Sequence, residues 1–300
     1  MKPSHPIPYP DAASAPRRMI KPRVHMVERC GLTGDAAAAL ATLDRLAASG
    51  PTGIAGVFMP SPWISKALAG AGIAEQLDPA DAIRFRHIIV PYTGLPPSQL
   101  AIWQASSNGR LHDLTAQPIR HALATAERLA ALRAETLVIG RHHDDPATAT
   151  ITDDGRAARI LENTEDTARL AFAPHFGALS NPWVSPRRVA WLADQLRLRY
   201  RDARVTFIDT TCPAMIDRER ALDCRLGSAD RVVIVGDPGD DTCHALAEAA
   251  ARRGIDSAIA TTADRLPWRA CDGTPRITLV TAGGFTPQPA IQAMTRALAR

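Results

Sequence analysis

The feature that most constrains the fold is an internal repeat with a spacing of 96 residues. Asp113-Leu-Thr-Ala-Gln-Pro118 is matched by Asp209-Thr-Thr-Cys-Pro213. Each segment is followed by a helical stretch and then by an apolar strand ending in glycine. Those strands are Leu137-Val-Ile-Gly140 and Val233-Ile-Val-Gly236, and each runs on into an Asp-Asp pair. The offset holds at Asp113/Asp209, Thr115/Thr211, Gly140/Gly236 and Asp144/Asp240. Chance similarity does not keep register across both a helix and a strand, so the chain contains a duplicated supersecondary unit.

A fainter third unit precedes these two. Residues 35–48 are an Ala/Leu stretch with Asp35 in the first turn, where an acidic side chain favours a helix start. Gly50 and Pro51 end it. Ile54–Phe58 reads as a strand, Pro60–Leu68 as a loop opening a helix, and His87–Val90 as a second strand. Ala171–Leu179, Ser257–Thr261 and Ile277–Gly283 read as further strands, with helices over Arg187–Tyr200 and 288–299. Short apolar strands alternating with helices predict parallel sheets. The expected architecture is α/β, with three pseudo-threefold-related αβ lobes around a central cavity. The lobes span 20–112, 113–208 and 209–300. The N-terminal strand and Cys30 join either the first lobe or the third. Residues 1–19, rich in proline, predict a disordered tail. Loops at the carboxyl ends of parallel strands line ligand crevices, so three lobes would aim such loops at one centre.

Composition narrows the function classes. The net charge is +4, but acidic residues lie among the basic ones, and nucleic-acid binding is not expected. Basic residues are nearly all arginine, and with the abundance of alanine this fits a GC-rich bacterial genome. No apolar run is long enough for a membrane span, and the N-terminus lacks the apolar stretch of a secretory signal. The expectation is a cytoplasmic protein. The cysteines are Cys30, Cys212, Cys224, Cys243 and Cys271. An odd number without a secretory signal argues against a disulfide framework, and no pair has the spacing of a local zinc knuckle.

Several motifs occur in a definite order: Cys30-Gly-Leu-Thr-Gly-Asp35, Val57-Phe-Met-Pro-Ser-Pro-Trp-Ile-Ser65, Val90-Pro-Tyr-Thr-Gly-Leu-Pro96, Asp113-Leu-Thr-Ala116, Asp209-Thr-Thr-Cys212, Asp240-Asp-Thr-Cys-His-Ala-Leu246 and Val280-Thr-Ala-Gly-Gly-Phe-Thr-Pro287. In order and spacing this series resembles the 4-hydroxy-3-methylbut-2-enyl diphosphate reductase (LytB) family over roughly residues 24–300. The last motif is the most specific. The resemblance implies three αβ lobes around a central 4Fe-4S cluster, a small-molecule substrate, and an electron donor such as ferredoxin or flavodoxin. It places cluster cysteines at Cys30 and Cys212, with Ala116 where a third would stand.

Other family positions are also replaced. The substrate histidines fall near Pro60 and at Thr93, the proton-delivering glutamate near Ala147, and a threonine near Pro182. The diphosphate-binding serine and asparagine become Asp240, Asp241 and Thr242, and the last substrate serine becomes Phe285. A diphosphate needs donors and positive charge, and an alanine cannot ligate iron. These replacements count against the standard reductive dehydroxylation.

The candidate metal ligands are therefore Cys30 and Cys212, with Cys243 as the third. All three can instead be small buried residues. Candidate substrate-binding residues are Trp63, Tyr92, Thr93, Asp145, Asp240, Asp241, Thr242 and Phe285. Trp63 and Trp183 either stack on a flat ligand or pack on each other. His142, His143, Asp144 and Asp145 form a polar loop that reads as a metal site or as a solvated loop with an Asp helix cap. His175 and His244 are acid–base candidates or ordinary satisfied histidines. Cys224 and Cys271 carry no assigned role. Three functional readings remain: an iron–sulfur oxidoreductase with a changed substrate, a cluster-free enzyme or binding protein that reuses the cavity, and a non-catalytic interaction protein.

Overall fold

The computed structural model describes residues 23–141, 145–153, 158–267 and 277–299. The expected tail, His142, His143, Asp144 and Cys271 lie outside the described residues. The first stretch runs β1 (Arg23–Met26), α1 (Gly34–Ser49), β2 (Thr52–Ile54), α2 (Pro62–Gly70), β3 (His87–Val90), α3 (Pro97–Ser106) and β4 (Leu111–Asp113). It continues through α4 (Gln117–Ala131), β5 (Glu135–Ile139), α5 (Pro146–Thr152), β6 (Arg159–Leu161), α6 (Thr164–Arg169), β7 (His175–Ser180), α7 (Pro186–Arg199) and β8 (Arg204–Ile208). The chain ends with α8 (Pro213–Leu226), β9 (Arg231–Val235), α9 (Asp241–Ala251), β10 (Asp256–Ala260), β11 (Ile277–Ala282) and α10 (Gln288–Leu298).

Many of the prolines start helices instead of breaking them. α2, α3, α4, α5, α7, α8 and α10 all carry proline in their first two positions. There the missing N–H would be unpaired anyway, and the fixed φ suits the helix. α1, α6 and α9 are instead capped by the side chains of Thr33, Asn163 and Asp240, and α5 adds an Asp145 cap to its proline.

The strands form three separate parallel sheets, ordered β2-β3-β4, β6-β5-β7-β8 and β1-β11-β9-β10. The second and third superimpose in order if β8 is matched to β1. In each sheet one strand hands the chain to a new helix: β4 to α4, β8 to α8 and β1 to α1. The pairing of β1 with β11 therefore closes the ring, although β1 opens the chain. Val232, Val233, Ile234 and Val235 of β9 are wholly buried, which explains why this strand reads as a continuous apolar run. The largest core cluster joins Ile54, Ile89, Ile119, Val138 and Leu179 with Phe285, so side chains of the first two sheets meet the turn after β11 in it.

Three details differ from expectation. The strand expected over Ile54–Phe58 ends at Ile54; beyond it the Phe58 amide bonds the Glu75 carboxylate at 2.7 Å instead of a strand neighbour. β4, β6 and β8 are edge strands with no apolar run to mark them. The 96-residue register also slips in one loop. It is exact from α4/α8 through β5/β9, but the cap of α5 is Asp145 and the cap of α9 is Asp240, which are 95 apart.

Candidate functional site

The chain leaves each of β3, β7 and β11 through a tight turn. The turns are closed by backbone hydrogen bonds from Gly94 to Pro91 (2.9 Å), Val184 to Asn181 (3.3 Å) and Thr286 to Gly283 (3.4 Å). Each turn presents one aromatic ring to the middle of the molecule: Tyr92, Trp183 and Phe285. Ring centroids lie 6.3 Å apart for Tyr92–Trp183, 6.1 Å for Tyr92–Phe285 and 5.1 Å for Trp183–Phe285. Phe285 meets both partners edge-on, the arrangement favoured by ring quadrupoles. All three are buried, at 5, 8 and 4% exposure. Burial pushes the Tyr92 phenol above its ordinary pKa.

A second layer of loops joins this centre. The Ala116 amide bonds the Tyr92 carbonyl (2.9 Å), the Cys212 amide bonds the Pro182 carbonyl (2.8 Å), and the Leu32 amide bonds the Thr286 carbonyl (3.2 Å). The segments entering α1, α4 and α8 are thus tied to the aromatic turns in the same way. Ala116 is buried in the apolar cluster that holds all three rings, and Cys212 packs against it. The space left beside the rings is a cavity of about 50 Å³, lined in part by Thr33, Asp35, Cys212 and Arg218. Thr93 is buried and its hydroxyl has no partner among the described residues.

Carboxylates gather where α5 and α9 begin. Asp145 Oδ2 accepts from the Thr148 amide (2.8 Å), the Thr148 hydroxyl (2.7 Å) and Asn181 Nδ2 (2.6 Å). Asp240 Oδ1 accepts from the Thr242 amide at 2.9 Å. Asp241 has no hydrogen bond to either oxygen among the described residues, although Arg141 Nη1 lies 3.3 Å away. Burial raises all three pKa values, and that of Asp241 is pushed up to about 8 by burial and then by the Asp145 charge, against the pull of Arg141.

Sequence reasoning missed Arg218. It lies in α8 beside the charged residues Asp217, Glu219 and Arg220, a run that reads as solvated. In the structure it is 4% exposed. Its Nε donates to the Arg29 carbonyl (3.1 Å) and its Nη2 to the Gly31 carbonyl (2.5 Å). Burial lowers its pKa, and Asp240 is the main charge opposing that shift. Cys30, on the same side, has its thiol raised by burial, with Arg218 acting the other way.

A family model described as LytB protein matches residues 36–299. The chain belongs to the LytB family. Among curated LytB relatives, it is 24% identical over 238 residues to the 4-hydroxy-3-methylbut-2-enyl diphosphate reductase of Pseudomonas putida, covering 76% of this chain and 73% of that one. It is 28% identical over 225 residues to the reductase of the same name from Mesorhizobium japonicum, covering 73% and 66%. The structure of the E-1-hydroxy-2-methyl-but-2-enyl-4-diphosphate reductase from Plasmodium falciparum superimposes with a TM-score of 0.82 at 16% identity, over 93% of this chain and 89% of that one. The α/β fold with small parallel sheets is therefore the LytB fold.

LytB enzymes use a 4Fe-4S cluster, which is held by thiolates. Among the described residues, Cys30, Cys212 and Cys243 do not form a group arranged to hold one. Of the three expected ligands, Cys243 packs in the apolar cluster of Val232, Ile234 and Leu279. It is wholly buried under β9 and β11, and a Cβ on Gly236 or Gly283 would stand 2.2 or 2.6 Å from its sulfur. Its thiol is held well above the usual range by burial and by Asp240. Among the described residues no group of three or more His, Cys, Asp or Glu side chains is arranged to hold a metal ion. The cavity beside the rings has room for only a few waters.

Other expectations resolve as follows. Trp63 does not meet Trp183; it packs against the Val233–Val280 cluster of the third sheet, because α2 starts on that side. His175 pairs with the Thr206 hydroxyl at 2.9 Å, and His244 with the Pro238 carbonyl. Cys224 is an exposed thiol on α8. Among the described residues, no helix is long and apolar enough to cross a membrane.

Proposed function

We propose that this LytB-family chain is a cluster-free small-molecule-binding protein or enzyme, and that the family's reductive dehydroxylation is not its activity. The observation that carries this reading is the contact of Tyr92, Trp183 and Phe285 across the meeting point of the three lobes. Rings packed at these distances leave no chamber for a cubane and a diphosphate substrate together. The acidic set agrees. Asp145, Asp240 and Asp241 offer a diphosphate like charge or, when protonated, few donors.

The test is anaerobic purification with iron and sulfide analysis, followed by assay with the allylic diphosphate of the family and a strong reductant. A colourless protein without turnover is expected. Stoichiometric iron after reconstitution would sink the reading. It would favour the alternative, an iron–sulfur oxidoreductase with a changed substrate, fed by a ferredoxin or flavodoxin. That alternative draws its support from Cys30 and Cys212, which stand beside Arg218 near the centre.

A further inference from the structure

Arg218 poses an electrostatic problem. Its guanidinium is almost completely buried, yet among the described residues no carboxylate lies within 4 Å of it. The contrast with its neighbour Glu219 is direct. Glu219 is equally buried, but it is paired with Arg252 at 2.6 Å and accepts from the Ser185 hydroxyl. A buried charge without a counter-ion is costly. Two backbone carbonyls take two of the Arg218 donors, but they bring no formal charge. Asp240, the main carboxylate acting on it, is itself pushed toward its neutral form by burial.

The unpaired guanidinium opens onto a route to the surface. Beside the small central cavity, a hollow of about 250 Å³ is lined by Arg218, Cys30, Thr33 and Gly34. It shares Arg29 and Asp217 with an outer hollow of about 360 Å³, where Arg220 and Arg225 stand. Four arginines thus line one groove, against Glu28 and Asp217 as its carboxylates. The inner hollow also touches the first turn of α1, at Gly34; Thr33 caps the Ala36 amide and Asp35 adds a carboxylate there, but the Gly34 and Asp35 amides have no intrahelical partner and can face an anion. The loop above the groove is shaped for this contact. Gly31 holds φ +82°, and a Cβ there would lie 2.8 Å from Ile291 and 2.9 Å from the Thr286 carbonyl. That reversal lets the carbonyls of both Arg29 and Gly31 clamp the guanidinium in place.

We propose that the groove between the β1–α1 loop and α8 binds a small molecule bearing at least two oxoanion charges, with Arg218 and the α1 N-terminus holding the inner charge and Arg220 and Arg225 the outer one. The shared chemistry is that of a phosphate ester or a polycarboxylate. This inference deepens the cluster-free reading, because it names the class of ligand such a protein would take.

The test is calorimetric titration of the full chain with inorganic phosphate and, separately, with citrate, against sodium chloride at matched ionic strength. Saturable one-to-one binding of at least one is expected, and the preferred anion tells phosphate from carboxylate chemistry. Arg218→Gln should weaken it about tenfold or more, since charge-assisted hydrogen bonds are lost. Arg220→Ala, an exposed substitution that leaves the core untouched, should weaken it several-fold. The bound anion should also slow alkylation of Cys30 by iodoacetamide, read by peptide mass mapping. No binding of either anion, or binding that Arg220→Ala and Arg218→Gln both leave unchanged, would overturn the proposal. Iron content is measured separately, so a bound cluster would defeat the cluster-free reading without bearing on the groove.

Discussion

The aromatic centre and the acidic ends of α5 and α9 occupy comparable places, at the carboxyl ends of parallel strands, but they meet burial in opposite ways. At the centre, three rings replace solvent with apolar contact. Ring pairs of this kind add about 0.5–1.5 kcal/mol each beyond the area they bury. At the helix ends, three carboxylates are buried together, and Asp241 has no hydrogen bond among the described residues. One site gains stability from burial. The other carries a proton-dependent cost. The difference teaches that the strand ends of one fold can be closed for stability in one place and left electrostatically strained in another.

Removing a ring attacks the stable half of this comparison most directly. Trp183→Ala should destabilise the chain by about 3–5 kcal/mol, the usual cost of deleting a large core aromatic. Urea denaturation followed by circular dichroism measures it. A loss below about 1 kcal/mol would mean that the rings fill space without holding the lobes together. On the acidic side, Asp145→Ala removes the α5 cap and the acceptor of the Thr148 amide and hydroxyl, and leaves Asn181 only the Thr148 hydroxyl. The expected loss is about 1–3 kcal/mol, from a cap plus an orphaned donor. An unchanged midpoint would show that this carboxylate is as dispensable as a surface charge.

Asp241 tests the strained half by pH. Its carboxyl titrates near 8 in the folded chain, against an ordinary value of 3.8. The folded state therefore binds the extra proton between those values. Stability from this group is complete below about pH 4 and falls as pH rises toward 8. Asp145 and Asp240 are shifted the same way and add to the trend. Asp241→Asn should leave stability near wild type at about pH 4 and raise it at about pH 9, flattening the profile. Parallel urea titrations at the two pH values decide it. If wild type is instead more stable at the higher pH, the carboxylate is paired, not strained.

The same contrast explains what the sequence could reveal. The α/β fold with parallel sheets was legible because residue spacing in a duplicated unit survives replacement of the residues themselves. Asp113/Asp209 and Gly140/Gly236 kept their offset even though Ala116 and Cys212 differ. The aromatic contact was only half legible. Tyr92, Trp183 and Phe285 could each be placed on a strand-exit loop, but nothing in the sequence says that Trp63 turns to the third sheet instead. Helix caps were misaligned by one residue, because a loop absorbs a slip that a strand pair cannot. Arg218 was not legible at all. A charged run such as Asp217-Arg218-Glu219-Arg220 looks solvated, and only the packing of α8 shows that its middle pair is buried.

The smallest effect sharpens the comparison furthest. Ala116 stands, by the internal repeat, where Cys212 stands in the next unit, and it is buried in the same cluster as the rings. Ala116→Cys adds one polarisable atom beside them, so stability should change by less than about 1.5 kcal/mol. It also supplies a thiol at the position where the resemblance to the family places a ligand. If the rings close the centre, the variant should remain colourless and hold no more iron than wild type after anaerobic reconstitution. If it instead acquires iron, sulfide and the visible absorption of a cluster, the rings yield to a cofactor, and a missing thiolate, not a filled centre, is what separates this chain from its cluster-bearing relatives.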